Sequence, residues 1–299
     1  MKSPIPLYNG DVLQLTEPQV GISQNLSFNY ASCSGITILR PDIRCSLRGI
    51  NTIEITIALP DSAGTKIPAD TLFSFSIIQI QNPPSTKPSS NFGLTVFDNQ
   101  GNLLAKLTDD QSHLSKFVLS ATQPSSLLYA SVVSESRVPK SPTLLKFMII
   151  TQHELPARSS IVIKLPKLLG INKEQLSCWV STDPGRDTNK NKALCPLTAN
   201  ADGSSTLIIK EVNSLKLIGG TTITFEIKGL VNAAVTTLSD SFTILTQTSE
   251  GFGIDQQNEG LVVSAACNYP CTTCPVNQPD VCRTCDQASD APKPIYFKS

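Results

Sequence analysis

The sequence contains little charge and no long apolar segment, and each absence excludes a class of protein. Only 16% of its 299 residues are charged, and the 24 basic residues equal the 24 acidic ones. A balanced chain of this kind lacks the positive potential with which proteins attract nucleic acids or anionic lipids. No apolar run approaches the ~18 residues that cross a bilayer as a helix. We therefore expect no nucleic-acid partner and no membrane span in this chain.

Residues for acid–base and cofactor chemistry are also scarce. The chain has two histidines, His113 in a polar segment and His153 at the end of a predicted strand. It contains no Gly-x-Ser-x-Gly turn, no GxGxxG motif and no phosphate-binding loop. Asp109, Asp110 and His113 could together hold a metal ion, but such a group is more often a solvated loop. We therefore predict no catalytic residue, no metal site and no cofactor, and we expect that the protein is not an enzyme.

The chain does contain many short segments in which apolar and polar residues alternate with a period of two. Clear examples are Ile53–Leu59, Phe73–Ile77 and Ile223–Ile227. This period predicts β-strands with one buried face, and no stretch keeps a helical stripe over three turns. Turn residues such as Asp98–Asn102 and Asn200–Gly203 separate the strands. The pattern indicates an all-β chain of immunoglobulin-like β-sandwiches.

Two parts of the chain match each other at an offset of about 150 residues. The segment Lys66–Ile77 lies over Lys216–Ile227, and Cys45 matches Cys195. Further matches are Ile5-Pro6 with Leu155-Pro156, Val12–Leu15 with Ile161–Leu165, Phe92 with Phe242 and Leu94 with Ile244. We interpret them as tandem copies of one domain. The predicted domains are a first sandwich over residues 1–122, a second over 123–266 and a cysteine-rich module over 267–299.

The repeat also predicts disulfide bonds. Cys45 and Cys195 are equivalent, and each follows another cysteine closely, so we pair Cys33 with Cys45 and Cys178 with Cys195. Each bond would be a local loop closure that stabilises its copy by ~3 kcal/mol. The high cysteine content is typical of extracellular proteins. The sequon at Asn25, a candidate glycosylation site, agrees with that location.

The remaining five cysteines lie near the C-terminus with the spacing C-x3-C-x2-C-x7-C-x2-C: Cys267, Cys271, Cys274, Cys282 and Cys285. Two CxxC pairs can form a zinc site, but the short separation and the fifth cysteine favour disulfides in an oxidising compartment. An odd total of nine cysteines also means that at least one lacks a partner within the chain.

The segments Ala266–Cys274 and Val281–Cys285 resemble a furin-like or growth-factor-receptor cysteine-rich repeat. Sandwich repeats followed by such a module resemble the ciliate-type cysteine-rich surface proteins. The resemblance implies an extracellular stalk or coat role and no catalytic residue. It also implies the pairs Cys267–Cys274 and Cys271–Cys282, which would leave Cys285 unpaired or bonded to another chain.

The first copy begins late relative to the second. Met1 aligns with Thr151, so the first copy lacks counterparts of the strands predicted at Ser126–Ser134 and Thr143–Ile150. We expect an open groove there, and two explanations are open: the chain is a fragment of a longer precursor, or another chain supplies the strand. The C-terminal residues Ile295, Tyr296 and Phe297 form a candidate donor strand.

Together these features predict an extracellular structural protein, a subunit or segment of a surface stalk, coat or filament. Its partners would be further copies of itself, joined head to tail, or other surface proteins. The alternative is a ligand-binding adhesin or receptor ectodomain. A hydrolase is a weaker third hypothesis, because a β-rich chain with two histidines in loops offers little acid–base chemistry near neutral pH.

Overall fold

The computed structural model describes residues 4–16, 32–36, 42–48, 52–59, 66–71, 74–78, 84–88, 92–107, 123–182, 190–234, 238–264, 271–273 and 284–285. The chain divides into two compact units, Met1–Thr122 and Gln123–Ser299. We call the sandwich in each unit the first and the second sandwich. Within the described residues, no helix is long and apolar enough to cross a membrane.

All the regular elements in the described residues are β-strands, as the alternation predicts. In the first unit they are β1 (Leu7–Tyr8), β2 (Val12–Thr16), β3 (Ser32–Ile36), β4 (Asp42–Leu47), β5 (Thr52–Ala58), β6 (Lys66–Ile67), β7 (Ser74–Ile78), β8 (Gly93–Phe97) and β9 (Leu103–Leu107). In the second unit they are β10 (Ser125–Ser126), β11 (Tyr129–Ser134), β12 (Pro142–Ile150), β13 (Ser160–Leu165), β14 (Gly170–Ile171), β15 (Ser177–Ser181), β16 (Asn191–Ala193), β17 (Leu197–Ala199), β18 (Ser205–Ile209), β19 (Thr222–Val231), β20 (Thr243–Gln247), β21 (Gly253–Gln257), β22 (Cys271–Thr273) and β23 (Thr284–Cys285).

The second sandwich consists of two six-stranded sheets. The sheet that we call its front sheet has the order β10-β21-β20-β13-β18-β17. The back sheet has the order β11-β12-β19-β15-β16, with β14 also paired to β19. Strand β10 pairs with β21 in parallel, and the other pairings within these sheets are antiparallel. The immunoglobulin-like sandwich class predicted from the sequence is therefore confirmed.

The core of the second sandwich lies between its two sheets. Alternate residues of β12 and β19 in the back sheet are buried: Leu145, Phe147, Ile149, Ile223, Phe225 and Ile227. They belong to one apolar cluster with front-sheet residues such as Ile161, Ile163 and Leu207. The alternation that predicted these strands thus arises because one face of each strand contacts the opposite sheet.

The long strand β19 contains a bulge. Its pairing with β12 passes from Leu145 opposite Ile227 to Thr143 opposite Leu230. Gly229, in the extra segment, has φ of 84°, and a Cβ there would lie 2.7 Å from the backbone of Gln175. Glycine is required at this position, because it tolerates positive φ and leaves space for the neighbouring backbone.

The described strands of the first sandwich form a smaller set. Its front sheet has the order β4-β5-β2-β8-β9, and β7 pairs with β3 in a two-stranded back sheet. Strands β1 and β6 form a separate pair. Buried residues from the front sheet, such as Leu13, Ile55 and Val96, form the core, and Phe75 and Ile77 of β7 pack against them.

Strand register identifies the equivalent positions of the two front sheets. Leu13 lies opposite Ile55 and Val96 in the first sandwich. In the second, Ile161 lies opposite Ile209 and Thr246. Thus β2, β5 and β8 correspond to β13, β18 and β20, and the two sheets share their central strand order.

The back sheets correspond in the same way. Cys33 lies opposite Ile77 in the β3–β7 pair, and Cys178 lies opposite Ile227 in the β15–β19 pair. Strand β7 is therefore the equivalent of β19, and β3 is the equivalent of β15. This register supports the alignment of the two segments from which the repeat was first inferred.

One predicted match needs correction. Leu7 pairs with Ile67, whereas Leu155 pairs with Leu217. Ile67 corresponds to Leu217 in the aligned segments, so the equivalent of Leu155 is Leu7 and not Ile5. The sequence match relied on the proline that follows Ile5 and Leu155, but pairing across the sheet determines which residues are structurally equivalent.

Candidate strand-accepting site

The back sheet of the first sandwich has one side without a described partner. In the second sandwich, β19 pairs with β15 on one side and with β12 on the other. Its equivalent β7 pairs with β3, and no other described residue pairs with β7. We call the side of Ser74–Ile78 opposite β3 the accepting edge. It is the side that β12 covers in the second sandwich.

Four core residues of the first sandwich are more exposed than their equivalents in the second. Leu15, Phe75, Ile77 and Phe92 of the first sandwich are half-buried, whereas Ile163, Phe225, Ile227 and Phe242 of the second are at most 1% exposed. In the second sandwich, Phe225 and Ile227 lie opposite β12, and Phe242 contacts Phe147 of β12. Among the described residues, the first sandwich thus has equivalents of these four core residues but no equivalent of β12.

Phe147 of β12 explains two of these differences. Its ring stacks on Phe225 with a centroid distance of 4.8 Å and meets Phe242 edge-on at 5.4 Å. The equivalents of these two partners are Phe75 and Phe92. The position of Phe147 in the second sandwich thus corresponds to a position beside Phe75 and Phe92 in the first. Burying one large apolar side chain contributes ~2 kcal/mol.

A strand edge without a partner can pair with an extended peptide. Unpaired N–H and C=O groups along a strand form hydrogen bonds with any suitable second strand. Half-buried Phe75 and Ile77 provide the apolar contacts that such a strand would cover. An extended segment that pairs with a sheet edge does so through main-chain hydrogen bonds, with its specificity set by side-chain pockets.

The predicted disulfide between Cys178 and Cys195 is present, with a Cα–Cα distance of 6.1 Å. The backbone amide of Lys210 donates a hydrogen bond to the Leu194 carbonyl, and the amide of Ile208 donates one to the Pro196 carbonyl. These two bonds place Cys195 opposite Ile209 of the front sheet. Cys178 lies on β15 of the back sheet. The bond is local in sequence, as predicted, but it also joins the two sheets, because the chain crosses between them inside the loop.

For the disulfide predicted in the first sandwich, between Cys33 and Cys45, the structure describes the side chain of Cys45. Cys45 is disulfide-bonded, and it lies opposite Ile55, the equivalent of Ile209. The side chain of Cys33 lies outside the described residues. The bond between Cys33 and Cys45 therefore stays a prediction, supported by two equivalent backbone positions.

Most of the remaining predicted site residues lie outside the described residues: Asn25, Asp109, Asp110, His113, Cys267, Cys274, Cys282, Ile295, Tyr296 and Phe297. Strands β22 and β23 place Cys271 opposite Cys285. The pairings Cys267–Cys274 and Cys271–Cys282, and a Cys285 without a partner in the chain, stay predictions.

A polar groove of about 650 Å³ lies on the outer face of the first front sheet. Its lining residues are Val12, Gln14, Arg48, Thr52, Glu54, Phe97, Asp98, Asn99 and Gly101. At its centre the Glu54 carboxylate accepts hydrogen bonds from Gln14 at 2.7 Å and from Arg48 at 2.6 Å. These bonds, that of Gln14 first, lower the pKa of Glu54. The groove combines an aromatic side chain with amide and charged groups.

The second sandwich contains a buried carboxylate that the sequence analysis did not identify. Asp255 of β21 accepts hydrogen bonds from the backbone amides of Gln152 and His153, at 2.9 and 3.1 Å. Its other oxygen lies 2.8 Å from Nδ1 of His153. The side chain of Asp255 is fully buried. Its contacts bind the loop at 152–153 to β21, so we assign it a structural role.

The signal for this contact was weak in the sequence. His153 and Asp255 are far apart along the chain, and the position equivalent to Asp255 in the first sandwich is Ala105. Only the pairing of β20 with β21 brings Asp255 beside this loop. Within the described residues, no three metal-ligating side chains converge.

Comparisons with known proteins give no family for this chain. No family model and no curated protein match it. Among solved structures, the C-terminal domain of the Streptococcus pyogenes antigen I/II-family protein AspA is 10% identical with a TM-score of 0.31, over 85% of this chain and 84% of that one. The collagen binding domain of the Erysipelothrix rhusiopathiae surface protein RspB is 11% identical with a TM-score of 0.29, over 86% and 80%. At these TM-scores the similarities carry no argument about function.

Proposed function

We propose that the chain is an extracellular structural protein that forms part of a surface stalk, coat or filament, and that it has no enzymatic activity. In this proposal the chains join head to tail when the accepting edge of one first sandwich binds a strand of another chain. The observation that carries the proposal is the half-buried state of Phe75 and Ile77 on β7, which pairs with β3 alone among the described residues, whereas its equivalent β19 pairs with strands on both sides.

The cysteine chemistry supports the extracellular location. The Cys178–Cys195 bond and the oxidised Cys45 need a compartment in which disulfides persist. Zero net charge and a low charged fraction agree with a surface-coat protein. The resemblance of the C-terminal cysteine pattern to modules of ciliate-type surface proteins supports the same location.

The geometry of strand donation supports a filament. Donor and acceptor would lie in different parts of the chain, so each chain could accept one strand and donate another. Such a heterologous contact does not close on itself unless the rotation happens to form a ring, and it extends into a linear polymer. The C-terminal residues Ile295 and Phe297, which alternate along the sequence, are the first candidate donor.

The test is the assembly state of the purified full chain. Sedimentation and negative-stain electron microscopy should show filaments or sheets whose fraction rises with protein concentration. Monomers at all concentrations up to the solubility limit would overturn the structural proposal.

A pair of matched variants examines the donor. Replacing Ile295 and Phe297 together by serine should abolish assembly, whereas Tyr296→Ser, at the position between them in the sequence, should leave it unchanged, because a bound strand would direct Tyr296 away from the sandwich core. Unchanged assembly by both variants would exclude the C-terminal residues as the donor.

The alternative, a ligand-binding adhesin or receptor ectodomain, is favoured by the polar groove on the first front sheet. Phe97 and the amide and carboxylate groups of Gln14, Asn99 and Glu54 are residue types that bind sugars through stacking and hydrogen bonds. Saturable binding on a glycan array that Glu54→Ala removes would support this function. No binding by the native chain would count against it.

A further inference from the structure

We infer that the polar groove on the outer face of the first front sheet binds a neutral saccharide of at least two rings, with one ring stacked on Phe97 and hydroxyls of the next ring bound by Glu54 and Gln14. This inference rests on the adhesin alternative of the proposed function and deepens it, because it names the ligand class and the residues that select it. The groove, of about 650 Å³, has the volume of a small-ligand site.

The fold does not require the polar residues of this groove. Gln14 of β2 lies opposite Glu54 of β5 in the first front sheet, and the equivalent strands of the second front sheet pair Val162 with Ile208 at the same register. Two aliphatic side chains therefore satisfy this position of the sheet in the second sandwich. Since the two front sheets share strand order and register, the polar pair Gln14 and Glu54 is available to bind a ligand.

Glu54 is held in place as a hydrogen-bond acceptor. Its Oε1 accepts hydrogen bonds from Nε2 of Gln14 at 2.7 Å and from Arg48 at 2.6 Å, and its side chain is 23% exposed. Both of these bonds go to Oε1, so Oε2 is the oxygen that accepts from a ligand hydroxyl, in a charge-assisted bond. Gln14 adds its amide oxygen and its second N–H beside this carboxylate. The pair thus offers acceptors and a donor to adjacent hydroxyls of a sugar.

Phe97 supplies the apolar surface of the groove. It is half-buried on β8, opposite Val12 of β2 and diagonal to Gln14, so its ring can stack on the C–H face of a sugar. Strands β8 and β5 lie on the two sides of β2, and two strand spacings amount to about 10 Å. One sugar ring is too short to stack on Phe97 and also contact Glu54. The ligand therefore needs at least two rings.

The charges of the groove favour a neutral ligand. A hydrogen bond from Gln14 lowers the pKa of Glu54, and one from Asn102 lowers the pKa of Asp98, so both carboxylates are ionised at neutral pH. Arg48 is paired with Glu54, which leaves the charged lining residues with a net negative charge. A saccharide carboxylate would meet these like charges, and its affinity would be lower than that of the neutral sugar.

The probe is a panel of neutral disaccharides and trisaccharides of glucose, galactose, mannose and N-acetylglucosamine. Each is tested beside its monosaccharide and beside a counterpart whose terminal ring is a uronic acid. Isothermal titration calorimetry measures binding to the full chain. We expect at least one neutral member to bind saturably, and at least ~10-fold more tightly than its monosaccharide and its uronic acid counterpart.

Hydrogen exchange of the native chain locates the bound saccharide. Asp98–Asn102 and Thr248–Phe252 are equivalent turns with the same backbone hydrogen bonds, from Gly101 to Asp98 and from Gly251 to Thr248. The saccharide should slow exchange in the first of these turns, which borders the groove, and leave the second unchanged. The second turn is thus an internal control that needs no variant.

Two matched pairs of variants assign the contacts. Glu54→Gln should weaken binding of the neutral saccharide at least ~10-fold and bring the neutral and acidic forms to within about threefold of each other. Glu135→Gln, at an exposed carboxylate of the second sandwich, should change neither value. Phe97→Leu, which removes the ring and keeps an apolar side chain, should weaken binding at least ~10-fold. Tyr129→Leu, at an exposed aromatic residue of the second sandwich, should leave binding unchanged.

The inference is wrong if no member of the panel binds, if the uronic acid counterparts bind as tightly as the neutral forms, or if Glu54→Gln and Phe97→Leu leave binding unchanged. Where a variant does not fold, hydrogen exchange of the native chain decides, because protection outside residues 98–102 would assign the saccharide to another site. That result would keep the adhesin alternative and exclude this groove.

Assembly of the full chain is measured separately, so failure of the structural function is distinguishable. Filaments formed by a chain that binds no saccharide would keep the structural function and overturn the inference. Saccharide binding in the groove by a chain that never assembles would support the inference and exclude the filament.

Discussion

The two sandwiches contain equivalent strands that differ in how deeply their core side chains are buried. Both have the same central front-sheet order and the same pair of back-sheet strands, aligned residue by residue. In the second, β12 completes the back sheet and Phe225 is buried; in the first, the equivalent Phe75 is half-buried. The comparison teaches that alternation along a strand determines which of its side chains face the core. How deeply such a side chain is buried depends on a neighbouring strand from another part of the sequence.

The largest expected effect contrasts two equivalent phenylalanines. Phe225→Ala should lower the free energy of unfolding of the second sandwich by about 4 kcal/mol, because a closed core cannot collapse around the cavity. Phe75→Ala should cost the first sandwich about 1–2 kcal/mol, since its side chain is already partly in water. Trp179, the single tryptophan, reports denaturation of the second sandwich by fluorescence, and hydrogen exchange reports the first. Equal losses in the two sandwiches would show that the first core is closed as well.

The disulfide gives the next largest effect. Replacing Cys178 and Cys195 together by alanine should lower the unfolding free energy of the second sandwich by ~3 kcal/mol, because the bond closes a loop with a sequence separation of 17 residues. The midpoint of denaturant unfolding, followed through Trp179, measures the loss. The first sandwich should keep its own midpoint in this variant. A shift of both midpoints would mean that the two units unfold together.

The buried carboxylate of the second sandwich gives a smaller effect. Asp255→Ala should cost about 2 kcal/mol, because two backbone amides lose their acceptor in a buried place. Asp255→Asn keeps one carbonyl oxygen and should cost less. Thermal unfolding of the two variants side by side measures the difference. If the alanine variant is as stable as the native chain, the Asp255 contacts contribute nothing to the free energy of unfolding. Alanine, which occupies the equivalent position 105 of the first sandwich, would then stabilise the second sandwich equally well.

The smallest expected effect is the pH dependence of the first sandwich. Burial, together with the charge of Asp98, raises the pKa of Asp11 above its ordinary value of 3.8. The folded state therefore holds this proton more tightly than the unfolded state, so the unfolding free energy falls as pH rises from 3.8 through the raised pKa. Asp11→Asn removes the titrating group, and its amide oxygen can still accept the Tyr8 amide that Asp11 accepts at 2.8 Å.

Denaturant unfolding at several pH values between 3 and 7 tests this assignment. Relative to the native chain, the variant should gain unfolding free energy as pH rises from 3.8 through the raised pKa, by less than about 1 kcal/mol. The second sandwich is the internal control, because its equivalent residue is the uncharged Ser159. A difference that instead shifts in favour of the native chain as pH rises would contradict the raised pKa.

Predictions from the sequence were good where they depended on neighbours along the chain. The alternation at Ile53–Leu59 and Ile223–Ile227 predicted strands that the structure contains, and the turn residues at Asn200–Gly203 lie between β17 and β18. The repeat predicted the Cys178–Cys195 bond. These features follow from period, turn chemistry and spacing, which are local properties of the sequence.

Predictions were poorer where the answer depended on pairing between distant segments. The equivalence of Ile5 with Leu155 was wrong, because strand pairing with Ile67 and Leu217 assigns that position to Leu7. The contact of His153 with Asp255 was not predicted, because no local pattern joins residues so far apart. The sheet-joining character of the disulfide also required knowledge of where the chain crosses between sheets.

The sequence by itself determined that this chain is all-β, that it contains a repeat, and that two cysteines of the second copy form a bond. Periodicity encodes these properties, because each strand must turn one face inward wherever it lies. Only the tertiary structure decided which strands are neighbours, and hence that Phe225 is buried beneath β12 while Phe75 is half-buried on a strand that pairs with β3 alone among the described residues. Burial is a property of pairs of segments, and the alternation of one strand carries no information about whether its partner is present.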